Sequence, residues 1–215
     1  MLFIVIVFSL TSCDLKTNAV VKVNGEAVTQ EEVDYFKGKL KAEVLNNYIE
    51  KYSVEYTEDF WETEFEGLTP QEVLDEMALE ESIMAKIQFV LMREEGIYDD
   101  ISFEALRQKA ETFNAENENK EGVVGIKSIQ LSQFYTYYLQ NGKMELQNIY
   151  SEGKLVPTEE EIKEKTDELM AQVNSSDVSE QDYEDLAKSK LKTEKYEEYI
   201  LQIRENSVIE KVVQK

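Results

Sequence analysis

Val20-Val21-Lys22-Val23-Asn24-Gly25-Glu26-Ala27-Val28-Thr29-Gln30-Glu31-Glu32-Val33 is the stretch that decides the fold. Ala19 and the β-branched residues after it favour an extended chain, and Asn24-Gly25 supplies a turn. Thr29 and Glu32 form a capping-box pair, in which each side chain satisfies a backbone amide left open by the first helical turn. Val33, Phe36, Leu40 and Val44 then recur every three or four residues, so the pattern predicts a long amphipathic helix from about Gln30. Strand, turn and helix therefore follow one another directly.

Beyond this opening the chain reads as mainly α. Its 215 residues include only 8 Gly and 2 Pro, where average usage would give roughly 15 and 11. Residues 52–67 show no single period: Phe60, Trp61 and Phe65 stand among acidic residues and read as a loop or short helix. Thr69-Pro70 gives a cap with Pro at the first helical position, opening a helix to about Glu95 that stops at Gly96. Leu79, Ile83, Ile87 and Val90 lie on one side of it and Leu74, Ala78, Ala85, Phe89 and Met92 on another, as expected of a central helix packed between neighbours.

Ser102 caps a further helix carrying Phe103, Leu106, Ala110 and Phe113, ahead of a polar stretch over 114–122. The next helix starts near Ser128 with Leu131, Phe134, Tyr135 and Tyr138, and resumes past Asn141-Gly142 with Met144, Leu146 and Ile149. Thr158 and Glu161 form a second capping box, just after Pro157, for a helix to about Ala171. Asn174-Ser175-Ser176-Asp177 breaks the pattern before a last long helix over 181–205. The end, Val208-Ile209-Glu210-Lys211-Val212-Val213, is β-prone again. An isolated strand leaves its backbone groups unpaired, so Val20–Val23 is expected to pair with 208–213 and close residues 19–215 into one module.

Charge and composition exclude several functions. The chain has 23 Lys and Arg against 45 Asp and Glu, a formal charge of −22, and no His. So acidic a surface repels phosphate backbones, and nucleic acid is not an expected partner. The absence of imidazole removes His-dependent triads, zinc sites built on His and the commonest proton shuttle. Runs such as Glu159-Glu160-Glu161 and Glu80-Glu81 read as solvated faces or first-turn dipole partners rather than metal or acid/base sites. No phosphate-binding, calcium-loop or nucleophile-elbow motif is present, and no metal, cofactor or catalytic residue is expected.

At the N-terminus, residues 1–12 carry no charge, and residues 2–8 form an unbroken apolar run before the switch at Cys13-Asp14-Leu15-Lys16. The run is too short to span a bilayer, which takes roughly 20 apolar residues, and suits the apolar part of a signal peptide. Leu10-Thr11-Ser12-Cys13 resembles the lipobox of bacterial lipoproteins. That resemblance implies cleavage between Ser12 and Cys13 and a diacylglyceryl group on the Cys13 thiol, with 13–18 as a tether. Two acyl chains anchor stably where one binds only marginally, and the acidic body would hang from the membrane rather than lie on anionic headgroups. A departure is the lack of Lys or Arg ahead of the apolar run. The alternative is a core strand holding an inert buried cysteine.

The segment from Val20 to Val33 resembles the N-terminal signature of the SurA and PrsA foldases, extracytoplasmic proteins with a helical peptide-binding module. Lys154-Leu155-Val156-Pro157-Thr158-Glu159-Glu160-Glu161-Ile162 is similar to the segment that precedes their inserted parvulin isomerase domain. Tyr199-Ile200-Leu201-Gln202-Ile203-Arg204-Glu205-Asn206-Ser207-Val208-Ile209 is similar to their closing helix and strand. The departure concerns the insert: only about ten residues, 172–181, separate the last two predicted helices, whereas an independent domain takes roughly 50 or more. Parvulin sites also use histidines, which are absent. The resemblance thus implies a multi-helix chaperone module without the isomerase, lipid-anchored outside a bacterial cell membrane and binding unfolded or nascent secreted polypeptides. The alternatives are an envelope lipoprotein serving one specific partner and, less favoured, a prolyl isomerase.

Binding of unfolded chains needs adaptable apolar contacts, which Tyr, Phe and Met provide. Tyr56, Trp61 and Phe65, and Tyr137, which falls off the stripe of its helix, are the candidate client-binding residues. The competing reading is that these aromatics fill the core.

Overall fold

The computed structural model describes residues 18–118, 128–172 and 179–212. The described residues open with a hairpin of β1 (Ala19–Val23) and β2 (Glu26–Thr29), joined by Asn24 and Gly25. Both turn residues have positive φ, +51° and +88°, the geometry whose twist matches a two-residue hairpin and which Asn-Gly adopts readily. Sequence pattern assigned no strand to residues 26–29; four residues with one buried side chain, Val28, carry too little alternation to be read.

β2 runs straight into α1 (Gln30–Tyr52), and the expected capping box is complete: Thr29 accepts from the Glu32 amide, and Glu32 accepts from the Thr29 amide. Residues 53–69, which include a 3-10 turn at Phe60–Glu62, reverse the chain into α2 (Pro70–Glu94). Thr69 and Glu72 cap α2 in the same way, with Pro70 in its first turn. The two helices pack antiparallel as an arm roughly 35 Å long at 1.5 Å per residue. Gly96, at φ +73°, ends the run just past α2.

α2 is the central helix. Ile83, Ile87, Val90 and, on its other side, Ala78, Ala85, Phe89 and Met92 are all buried. It is covered by α1, by the sheet, by α4 (Leu131–Glu152) and by α6 (Glu180–Asn206). α3 (Phe103–Glu118) leans on α4 through Phe113 and Phe134, and α5 (Glu159–Gln172) pairs with α6. Val21, Val23 and Val28 bring the sheet into the same core as Phe36, Phe89, Tyr135 and Ile200, each such burial contributing about 1.5–3 kcal/mol.

β3 (Ile209–Lys211) pairs antiparallel with β1, giving the order β2-β1-β3. The expected closure of the two chain ends is therefore present, with Val21 opposite Lys211 and Val23 opposite Ile209. Val213 lies outside the described residues, as do 1–17 and the break at 174–177.

Two helices differ from expectation. α4 runs without interruption through Asn141-Gly142. Gly142 is buried where α4 crosses α2: a Cβ there would lie 2.5 Å from the Met92 sulfur and 2.8 Å from the Tyr98 ring, so the residue serves close approach rather than a break. α3 continues to Glu118, into the polar stretch. Asn114 explains part of this, since its side chain donates to the Ile129 carbonyl and accepts from the Ile129 amide, tying α3 to the start of α4.

Candidate functional site

The outer end of the α1–α2 arm is built from a loop longer than its task. Antiparallel helices are usually joined by 2–8 residues, whereas residues 53–69 number seventeen. The excess folds on itself. Phe60 is buried against Tyr48, Tyr56, Trp61 and Phe65, with ring centroids 5.5 to 6.4 Å apart. Phe65 also packs on Tyr48 and Tyr52 of α1, at 5.4 and 4.9 Å. A small backbone bridge between Phe65 and Leu68 closes the loop, with Glu66 and Gly67 at positive φ.

Three of the four sequence candidates meet here. Tyr56 is 58% exposed, while Trp61 and Phe65 are half-buried. Leu68, 48% exposed, is joined to Phe65 by that bridge. It was missed because a single residue between Gly67 and the Thr69 cap takes part in no period. The residues thus divide: Phe60 fills the small core of the tip, Tyr56 beside it faces solvent, and so does Leu68 next to Phe65.

The loop that carries the patch is rich in carboxylates. Residues 53–69 hold Glu55, Glu58, Asp59, Glu62, Glu64 and Glu66 and no Lys or Arg. The nearest cations come from α1. Lys41 stands over the Trp61 ring, 5.3 Å from its centroid. Lys51 bonds Glu66 at 2.8 Å beside the Tyr52 hydroxyl, which raises the lysine and lowers the carboxylate from their ordinary pKa values.

Tyr137 is elsewhere. It projects from α4, 59% exposed, beside Phe134, whose ring centroid is 6.4 Å away. α4 meets α1 at Tyr35, whose ring lies 4.5 Å from that of Tyr135. Seventeen residues of α1 separate Tyr35 from Tyr52, or roughly 25 Å. Tyr137 and the tip are thus separate surfaces. Met144 is exposed on α4 as well, and Ile149 partly so, whereas Leu146 is buried. The three cannot share a face, because residues two apart on a helix point about 200° apart.

Between α1, α3 and α4 lies an open groove of about 290 Å³. Tyr35, Phe103, Leu131 and Tyr135 line it, with Glu31 and Asp34 at the rim. Glu31 is paired with Arg107 at 2.6 Å. Behind it, Glu32 and Lys86 form a fully buried ion pair at 2.9 Å.

Among the described residues there is no group of His, Cys, Asp and Glu able to hold a metal, and no helix long and apolar enough to cross a membrane. Ser12 and Cys13, the candidate cleavage and lipid site, lie outside the described residues. Compared with known proteins, the chain matches no family model, no curated protein and no solved structure.

Proposed function

We propose that this protein is a chaperone-like module that binds unfolded or partly folded polypeptides, tethered through lipid on Cys13 to the extracytoplasmic side of a bacterial cell membrane. The observation that carries this reading is the tip of the arm. A seventeen-residue connection is organised by its own aromatics and presents Tyr56 and Leu68 on a rigid helical lever. Apolar side chains held this way offer weak, adaptable contact to many sequences. Rings carry large area at little ordering cost, because the packing beneath already fixes them. The resemblance of the opening segment and of the closing helix and strand to the SurA and PrsA foldases supports the same reading. The lipobox-like Leu10-Thr11-Ser12-Cys13 supports the tether.

The test is light scattering by a chemically denatured client diluted into buffer. The protein is expected to suppress aggregation at about equimolar ratio, and Tyr56→Ser/Leu68→Ser to weaken that effect several-fold with helical content unchanged. Scattering no different from that with an inert acidic protein would overturn the reading and favour an envelope lipoprotein with one dedicated partner.

A further inference from the structure

The arm carries an asymmetry of charge that bears on what its tip can hold. Between residues 52 and 85 there are eleven carboxylates and no Lys or Arg. Three of the eleven are paired to cations from outside that span: Glu66 to Lys51, Asp75 to Lys37 and Glu80 to Arg204. Glu55, Glu58, Asp59, Glu62 and Glu64 are exposed and form no ion pair among the described residues, and all five belong to the same short loop as the exposed Tyr56 and the half-buried Trp61 and Phe65. An apolar patch on a loop that also carries this much unneutralised negative charge discriminates between occupants. It repels anionic lipid and acidic peptide through the same field that draws cations towards it. Rings at its centre take aliphatic side chains by contact and cationic ones over their faces, as Trp61 already takes Lys41.

We propose that the arm tip is a docking surface for basic, apolar polypeptide segments, in which Lys or Arg alternates with bulky aliphatic or aromatic residues. The apolar residues rest on Tyr56, Leu68 and Phe65, and the flanking cations lie among Glu58, Asp59 and Glu62. This inference rests on the polypeptide-binding reading above and names the chemistry of the segments held. Because the grip is partly electrostatic and at the surface, it weakens with ionic strength.

Trp61 is the only tryptophan in the chain and sits in the patch, so its emission reports occupancy of the tip directly. The probe is a Lys/Leu peptide without aromatic residues, titrated into the full chain, with Ser/Leu and Glu/Leu peptides of the same length beside it. The expected result is a saturable change in Trp61 emission with the Lys/Leu peptide. Its apparent affinity should fall about tenfold between roughly 50 and 500 mM salt. Tyr56→Ser/Leu68→Ser should weaken it at least about fivefold, and Glu58→Gln/Glu62→Gln should flatten the salt dependence, each with an unchanged circular dichroism spectrum. Equal response to the Ser/Leu peptide would overturn the proposed occupant. So would a response to phosphatidylcholine or phosphatidylglycerol vesicles in place of peptide. Aggregation suppressed while Trp61 stays silent would overturn the tip as the docking surface and leave the chaperone reading standing. Conversely, peptide bound at Trp61 without suppression would uphold the docking surface and remove the chaperone reading.

Discussion

Glu32 is the residue on which several elements converge. One carboxylate oxygen accepts from the amide and hydroxyl of Thr29, at 2.8 and 3.1 Å, and the other accepts from Lys86 at 2.9 Å. Lys86 in turn lies 3.5 Å from the Ile101 carbonyl. One buried pair therefore joins the start of α1, the middle of α2 and the approach to α3. Such a pair contributes little net stability against an apolar replacement, but leaving one charge behind is costly. Lys86→Met is expected to destabilise the protein by about 3–5 kcal/mol, because it strands the Glu32 carboxylate in the core. Adding Glu32→Gln should recover most of that loss, since Gln still completes the capping box and carries no charge. Urea denaturation of both variants measures it, and a single variant within about 1 kcal/mol of the parent would show that the pair does not govern this junction.

At the scale of elements, side-chain caps determine where the helices begin, and they are the part most legible beforehand. Thr29 and Glu32, Thr69 with Pro70, and Thr158 and Glu161 are local signals, and each starts a helix where expected. Glu161 does more than cap. It accepts from the Thr158 amide at 2.7 Å and pairs with Lys195 of α6 at 2.6 Å. Lys195 first, and then the Thr158 amide, hold its pKa down to about 2 from an ordinary 4.5. A lowered carboxylate gives stability that is complete above the unfolded value and lost as pH falls through the folded one. The α5–α6 pair should therefore loosen between about pH 4.5 and 2 as Glu161 is protonated, and Glu168, held below its ordinary value by Lys165, adds to the loss on acidification. Hydrogen exchange should show protection of α5 lost before that of α2, and Glu161→Gln should make the loss less steep. Simultaneous loss in both helices would exclude a local event. What was not legible has a different origin. β2 exists because β1 lies beside it, and the path of α4 through Gly142 exists because α2 needs the close approach. Both depend on partners distant in sequence, which a local period cannot show. The tip is intermediate: its aromatics stood out, but which faced solvent depended on how Phe60 packed beneath them.

At the scale of the whole molecule, the two chain ends share one sheet, and that sheet is part of the common core. Among the described residues β3 pairs with β1 alone, at the edge of the order β2-β1-β3. The hairpin turn strengthens the join. Asn24 donates its amide to the Val208 carbonyl and accepts from the Val208 amide, both at 2.9 Å, while Val212 donates to the Val20 carbonyl at 3.1 Å. Removing residues 207–215 takes away these bonds and exposes the β1 edge over Val21 and Val23. With net hydrogen bonds worth about 0.5–1.5 kcal/mol each, the loss should be about 3 kcal/mol, which in a chain of this size lowers Tm by about 6–12 °C. The effect should reach the arm, because Val21, Val23 and Val28 share a core with Phe36 of α1 and Phe89 of α2. Trp61 at the far tip is then expected to unfold in the same transition as the backbone signal, at the lowered temperature. A melting temperature unchanged by the truncation would show that the core holds the sheet without its C-terminal strand, and that β3 does not clasp the fold.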